Sequence, residues 1–179
     1  ESLVRARDLD PLAPIFATAV AFVDVYEGRL SDALRIYDEV VELQPSFVPV
    51  HHYRGLALEQ AGRLDEAIAS FDHANELAPV KLESYPAAIH ALARNGRIDE
   101  ARERLTVLRS EVPSRYVPPL FFAVAHIGLG EYDEAFAALD EAIEQRGVRL
   151  SELHLDRRFD ALPDRERFAA AMRRIGVAG

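Results

Sequence analysis

The residues of this chain best suited to chemistry are three adjacent acid pairs, Asp65-Glu66, Asp99-Glu100 and Asp133-Glu134, and six histidines, of which His51 and His52 are neighbours. Paired carboxylates can move protons or hold calcium, and imidazoles can ligate zinc or act as general bases. The spacing argues against each use. The acid pairs recur every 34 residues just after a glycine. Capping explains both residue type and place: Asp65, Asp99, Asp133 and their equivalent Ser31 sit where an oxygen-bearing side chain accepts a free helix N–H, and the following acid complements the dipole. His51 and His52 project about 100° apart on a helix, so they cannot close on one ion as i, i+4 partners would. His52 and His90 fall a turn out of level on neighbouring helices and lack a cysteine or carboxylate companion. His73, His126 and His154 read as partly buried or surface polar groups. No phosphate-binding glycine loop, His-Glu-x-x-His pair or Gly-x-Ser-x-Gly elbow occurs, and the chain has no cysteine. The expectation is a protein that is not an enzyme, with no catalytic residue, metal or cofactor.

The elements that carry these residues are set by the same period. Gly28, Gly62, Gly96 and Gly130 are each followed five residues on by Ala33, Ala67, Ala101 and Ala135, and Pro11, Pro45, Pro79 and Pro113 close each unit. Leu3, Tyr37, Phe71, Leu105 and Leu139 fill one large apolar column. Each unit holds two apolar patterns of helical spacing separated by its glycine; in the second, Leu64, Ala67, Ile68, Phe71, Ala74 and Leu77 form one stripe. The alanine column marks a close crossing of the two helices, where a larger side chain would overpack, and the large column marks the junction with the next hairpin. The prolines end helices and force a turn.

With 179 residues, 49% hydrophobic and 28% charged, the chain has an ordinary globular composition. A net charge of −9 argues against nucleic acid and anionic membrane surfaces as partners, because both need Lys and Arg to displace counterions. No apolar run is long enough to span a bilayer, so no direct membrane insertion is expected, and the missing cysteines suit a reducing, cytoplasmic location.

These columns resemble the tetratricopeptide repeat, most closely in the run from Gly62 to Pro79, Gly-Arg-Leu-Asp-Glu-Ala-Ile-Ala-Ser-Phe-Asp-His-Ala-Asn-Glu-Leu-Ala-Pro. The resemblance implies an all-α, right-handed α-solenoid of antiparallel helix pairs with a C-terminal capping helix. One domain over 1–179 would divide into the end of a preceding repeat (1–11), four repeats (14–47, 48–81, 82–115 and 116–149) and a cap (150–179). On this reading the chain begins inside a helix and comes from a longer parent. Departures lie in the first helix of each unit: Asp24 and His126 replace the usual aromatic, Ile89 replaces a small residue, and Pro86 sets one helix start near Ser84. The segment from Leu153 to Asp164 is similar to the tail closing such arrays in bacterial signalling proteins. There a Phe-Asp-x-Leu turn precedes a last helix capped by Asp164, with Phe168, Met172 and Ile175 as its apolar stripe.

The family's groove, carried over position by position, would be lined by Phe22, Tyr26, His52, Tyr53, Leu56, Glu83, His90, Arg94, Leu120, Phe121 and Val124. A cap or flanking domain could cover Leu120, Phe121 and Val124. The positions of the chaperone-binding clamp hold Thr18, Phe22, Tyr53, Glu83 and Ala87, and the asparagine ladder of sugar-transferase arrays is replaced by Ala19, Tyr53, Ala87 and Phe121, so neither function is implied. The resemblance therefore implies a non-catalytic module that binds a peptide or helix of a protein partner in its groove. The alternative is a regulatory or dimerisation domain of a larger bacterial cyclase, kinase or transcription regulator, with its own parent chain or a second copy as partner.

Overall fold

The computed structural model describes residues 14–78, 83–147 and 150–176. The expected helix over 1–11, with Pro11, and the closing Pro79 lie outside the described residues. Eight helices follow in pairs: α1 (Pro14–Tyr26) with α2 (Leu30–Leu43), α3 (Val48–Gln60) with α4 (Leu64–Leu77), α5 (Ser84–Arg94) with α6 (Ile98–Ser110), and α7 (Pro119–Leu129) with α8 (Tyr132–Glu144). Two 3-10 turns, Leu150–Leu155 and Arg157–Ala161, lead to α9 (Arg165–Arg174). There is no strand among the described residues. The chain divides into two compact units, 1–88 and 89–179. Within the first, α3 packs on α4, α1 on α2, and α1 and α2 on α3. Within the second, α7 packs on α6 and α8, α9 on α8, and the Arg157–Ala161 turn on α7.

The glycine column has one job. Gly28, Gly62, Gly96 and Gly130 all take φ between 72° and 81°, a left-handed backbone that L side chains adopt only with strain. Each ends the first helix of its pair in the same double bond pattern. The Gly62 N–H donates to the Glu59 carbonyl (3.1 Å) and the Arg63 N–H to the Leu58 carbonyl (2.9 Å), and the other three turns repeat this within 0.1 Å. This is the Schellman ending, which satisfies carbonyls that the helix leaves bare. Arg63 then starts the next helix, its own carbonyl accepting the Ala67 N–H at 3.0 Å. One residue thus closes one helix and opens its partner, leaving a turn too short for side-chain capping.

That shortness corrects the capping expectation. Arg29, Arg63, Arg97 and Glu131 occupy the N-cap positions and none makes a side-chain cap bond. Asp65, Asp99 and Asp133 stand one step inside the first turn, where they complement the helix dipole only. Their neighbours Glu66 and Glu100 reach back to the N-cap arginines, Glu66 Oε2 lying 2.6 Å from Arg63 Nη2 and Glu100 Oε2 2.5 Å from Arg97 Nη2. Such exposed pairs are screened by solvent and add little to stability.

Asp24 and His126 have a compensation written five residues downstream. Asp24 Oδ1 accepts from Arg29 Nε at 3.0 Å, and His126 Nδ1–H donates to Glu131 Oε2 at 2.7 Å. The backbone N–H groups of the same two downstream residues donate to the carbonyls of Asp24 and His126. Where the column is apolar instead, at Leu58 and Leu92, the side chain is fully buried.

Ala33, Ala67 and Ala101 have no exposed surface and Ala135 almost none, and Tyr37, Phe71, Leu105 and Leu139 are buried beside them. The closest approaches, however, occur at two glycines in the first helices. A Cβ on Gly55 would lie 2.4 Å from the buried ring of Phe71, and one on Gly128 would lie 2.5 Å from His90 Cα. In the second unit the cap completes a cluster in which Phe159, Leu162, Phe168 and Met172 join Val124, Ile127, Phe136 and Leu139. The Asp164 carboxylate caps α9 by accepting the Arg167 N–H at 2.8 Å. Phe168 and Met172 are buried and Ile175 packs against the cluster.

Candidate binding face

Phe22 and Tyr26 stand one turn apart on α1, and His52, Tyr53 and Leu56 project from α3 next to it. The rings of Phe22 and Tyr53 meet edge to face at 5.4 Å, and His52 meets Tyr53 at 5.3 Å and Phe71 at 5.9 Å. Phe22, Tyr53 and Leu56 are half-buried, whereas Tyr26 keeps 51% of its surface in solvent. Ile15, earlier on α1, is 53% exposed and Val23 39%. A helix that is apolar on nearly every side buries Ala17, Ala21 and Val25 inward and still offers large apolar groups outward. This face within the first unit holds Phe22, Tyr26, Tyr53 and Leu56 of the expected groove residues.

His52 lies beneath it, buried, with the Ser84 hydroxyl 3.1 Å from Nδ1 and the Glu83 carboxylate 3.8 Å from Nε2. A carboxylate on one side and a hydroxyl on the other favour the Nε2–H tautomer, with Ser84 donating to Nδ1. Serine, histidine and an acid are the members of a hydrolytic triad, but the arrangement is not one. Ser84 is 3% exposed and beyond a substrate's reach, and the Glu83 contact is longer than a hydrogen bond. The Ser84 hydroxyl satisfies one nitrogen of a buried imidazole, and the Glu83 carboxylate lies near the other. In the sequence Ser84 stands out only as a helix start; the signal that could have marked it is its place as the one hydrogen-bonding side chain in the column Phe16, Val50, Ser84, Pro118.

The remaining expected lining residues belong to the second unit. His90 is buried against Gly128, Phe121 and Val124 are buried, and Arg94 is exposed. Val124 belongs to the apolar cluster containing Phe159 and Leu162, and Leu120 packs against that cluster. The covering element is the Arg157–Ala161 turn, which packs on α7, while α9 packs on α8. Asp156 anchors that turn. Burial pushes its carboxyl up, but the Arg158 guanidinium, at 2.6 and 2.9 Å, outweighs this and holds it below the usual carboxylate range.

A second polar network escaped the sequence reading. His126 is buried, its Nε2 accepts from Arg109 Nη2 at 3.0 Å, and Glu131 also takes Arg102 at 2.8 Å. His51, likewise buried, donates Nε2–H to the Pro45 carbonyl at 2.6 Å and stacks edge-on against His73 at 4.5 Å. Burial lowers the His51 pKa, and His73 and Arg54 push the same way against the Pro45 bond. Among the described residues no group of three or more His, Asp or Glu side chains is placed to hold a metal ion, and no helix is long and apolar enough to cross a membrane.

A family model for the tetratricopeptide repeat matches residues 23–80. No curated protein matches the chain. Among solved structures it is similar to a tetratricopeptide repeat protein from Parabacteroides merdae, at TM-score 0.57 and 18% identity over 98% of this chain and 69% of that one. It is similar too to YrrB, a tetratricopeptide repeat protein described as having an unusual peptide-binding site, at TM-score 0.57 and 18% identity over 97% of this chain and 98% of that one. The all-α helix pairs, the glycine turns joining them and these likenesses together give the chain the α-solenoid fold of the tetratricopeptide repeat structures.

Proposed function

We propose that the chain is a non-catalytic interaction module that binds a peptide or helix of a partner protein on the face built by α1 and α3. The observation that carries this reading is the outward aromatic and apolar group of Phe22, Tyr26, Tyr53 and Leu56, large side chains left in contact with water. Aromatic anchors of this kind supply most of the binding energy in compact interfaces. The peptide-binding site stated for YrrB, similar in fold, supports the same use. Leu120 and Val124 are left out of the proposed site because the cap packs over them. Absence of cysteine suits work in the reducing cytoplasm, where we place it.

Photo-crosslinking tests the location. A benzoylphenylalanine in place of Tyr26 should form an adduct with the partner in cells, and one in place of Arg35, exposed on α2, should not. Adducts at Arg35 alone would move the site off this face.

A further inference from the structure

We infer that residues 1–11, outside the described part of the chain, dock on α1 as α2 docks on α3, with Arg7 bonded to Asp24 and Val4 against Val20. Val20, Val23 and Asp24 share one side of α1 at helical spacing. That side is incompletely covered. Val23 keeps 39% of its surface in solvent, whereas Ala57 and Ala125, one and three periods on, have none. In those two repeats the second helix of the pair before packs on the first helix of the next, α2 on α3 and α6 on α7. Two contacts mark the register of this packing. Asp38 of α2 accepts from Arg54 of α3 at 2.7 Å, sixteen residues apart, and Arg109 of α6 donates to His126 of α7 at 3.0 Å, seventeen apart. Carried back by whole periods, the first pair becomes Val4 and Val20, and the second becomes Arg7 and Asp24. Both pairs stay matched. Two valines put an apolar contact in place of an ion pair, and Arg7 finds a carboxylate where Arg109 finds an imidazole. Ahead of Leu58, an apolar member of the Asp24 column, the place of Arg7 is held by Val41. His126 is satisfied from two sides, giving Nδ1–H to Glu131 and accepting from Arg109 at Nε2. Asp24 repeats the first half of this, since the bonds from Arg29 both end on its Oδ1, and Oδ2 is the atom for Arg7. Docking there covers Val23 and leaves Phe22 and Tyr26 to the binding face.

Amide hydrogen exchange of the whole isotope-labelled chain tests this. A helix of about eleven residues does not hold alone in water, so protection of the Ala6, Arg7, Asp8 and Leu9 amides reports packing. They should exchange at least about tenfold more slowly than in a free peptide of residues 1–13. The Val4 methyls should show nuclear Overhauser contacts to those of Val20. Arg7→Gln should speed the exchange roughly 2- to 10-fold. Arg5→Gln should not, because its place is held on α2 by the exposed Glu39. With Asp24→Leu already present, Arg7→Gln should change nothing further, since its partner is gone. Circular dichroism confirms that each variant folds. Unprotected amides at 6–9 would overturn the docking. Contacts between labelled and unlabelled copies in an isotope-filtered spectrum would make a second copy the occupant and overturn it as well. An equal effect of Arg7→Gln with and without Asp24 would overturn the bond on which the register rests. None of these outcomes bears on peptide binding at Phe22 and Tyr53.

Discussion

Gly128→Ala sets two effects of opposite sign against each other. Gly128 lies in the last turns of α7, where alanine's better helix propensity would stabilise the chain by up to about 1 kcal/mol if nothing stood nearby. The added Cβ, however, would lie 2.5 Å from His90 Cα, 2.9 Å from its carbonyl oxygen and 3.0 Å from its ring, where ordinary contacts begin near 3.4 Å. The obstacle is mainly backbone, which cannot rotate aside, so helices must separate by about 1 Å and loosen the packing on both sides. Overpacking costs roughly 1–3 kcal/mol, and an immovable neighbour puts this site toward the upper end. The expected balance is a loss of about 1–2 kcal/mol after the propensity gain. For a chain of this size that lowers the thermal midpoint by roughly 2–8 °C. Guanidinium and thermal unfolding followed by circular dichroism would read it directly. An unchanged or raised midpoint would refute the close approach of α7 to His90. Gly55→Ala should behave alike, because its Cβ would run into the buried ring of Phe71 at 2.4 Å.

The polar replacements Asp24 and His126 should respond differently to loss of a partner. Asp24→Leu recreates the Leu58 and Leu92 arrangement and leaves behind the half-exposed Arg29, so the unfolding midpoint should stay close to that of the wild type. Glu131→Leu strands the buried His126 N–H and should cost roughly 1–3 kcal/mol in the same assay. Phe159→Ala removes a fully packed ring stacked on Phe168 at 5.8 Å and should destabilise the second unit by roughly 3–5 kcal/mol, exposing Val124 to a hydrophobic dye. Because folded His51 sheds its proton at lower pH than an unfolded histidine, the unfolded chain binds the extra proton between that depressed value and about 6.5. Stability from this group is therefore present above about pH 6.5 and falls as pH drops through the window; His51→Gln should flatten that part of the denaturation profile.

Repetition made much of the fold legible, since a residue type recurring at a fixed interval must meet a recurring environment. The glycines in left-handed turns, the buried alanines and the ring column all follow from this, as does the Asp164 cap, which needs only local geometry. Contacts between helices are different. Nothing in the period says which atoms touch, so it does not mark Gly55, Gly128 or the Ser84 hydroxyl beside His52, and the capping bond expected of Asp65 is absent because a turn of three residues, 61–63, puts Arg63 at the N-cap. The Asp24–Arg29 and His126–Glu131 complements were present in the sequence as opposite partners five apart, a spacing that becomes informative only when a turn brings those positions together. For the proposed binding face, it is the resemblance to tetratricopeptide arrays, carried over position by position, that names Phe22, Tyr26 and Tyr53. Whether Leu120, Phe121 and Val124 are covered stays open in the sequence, because the cap that packs on Val124 has no period of its own.

The most direct measurement is a calorimetric titration of the crosslinked partner, once identified, into the wild-type chain and into Tyr53→Ala. Tyr53 is half-buried and, among the described residues, meets Phe22 and His52 through ring contacts, so its removal should leave helicity nearly intact. The α1/α3 face as binding site predicts a loss of at least about 2 kcal/mol, some thirtyfold in affinity, with an unchanged circular dichroism spectrum. Equal affinity for the two proteins would contradict it.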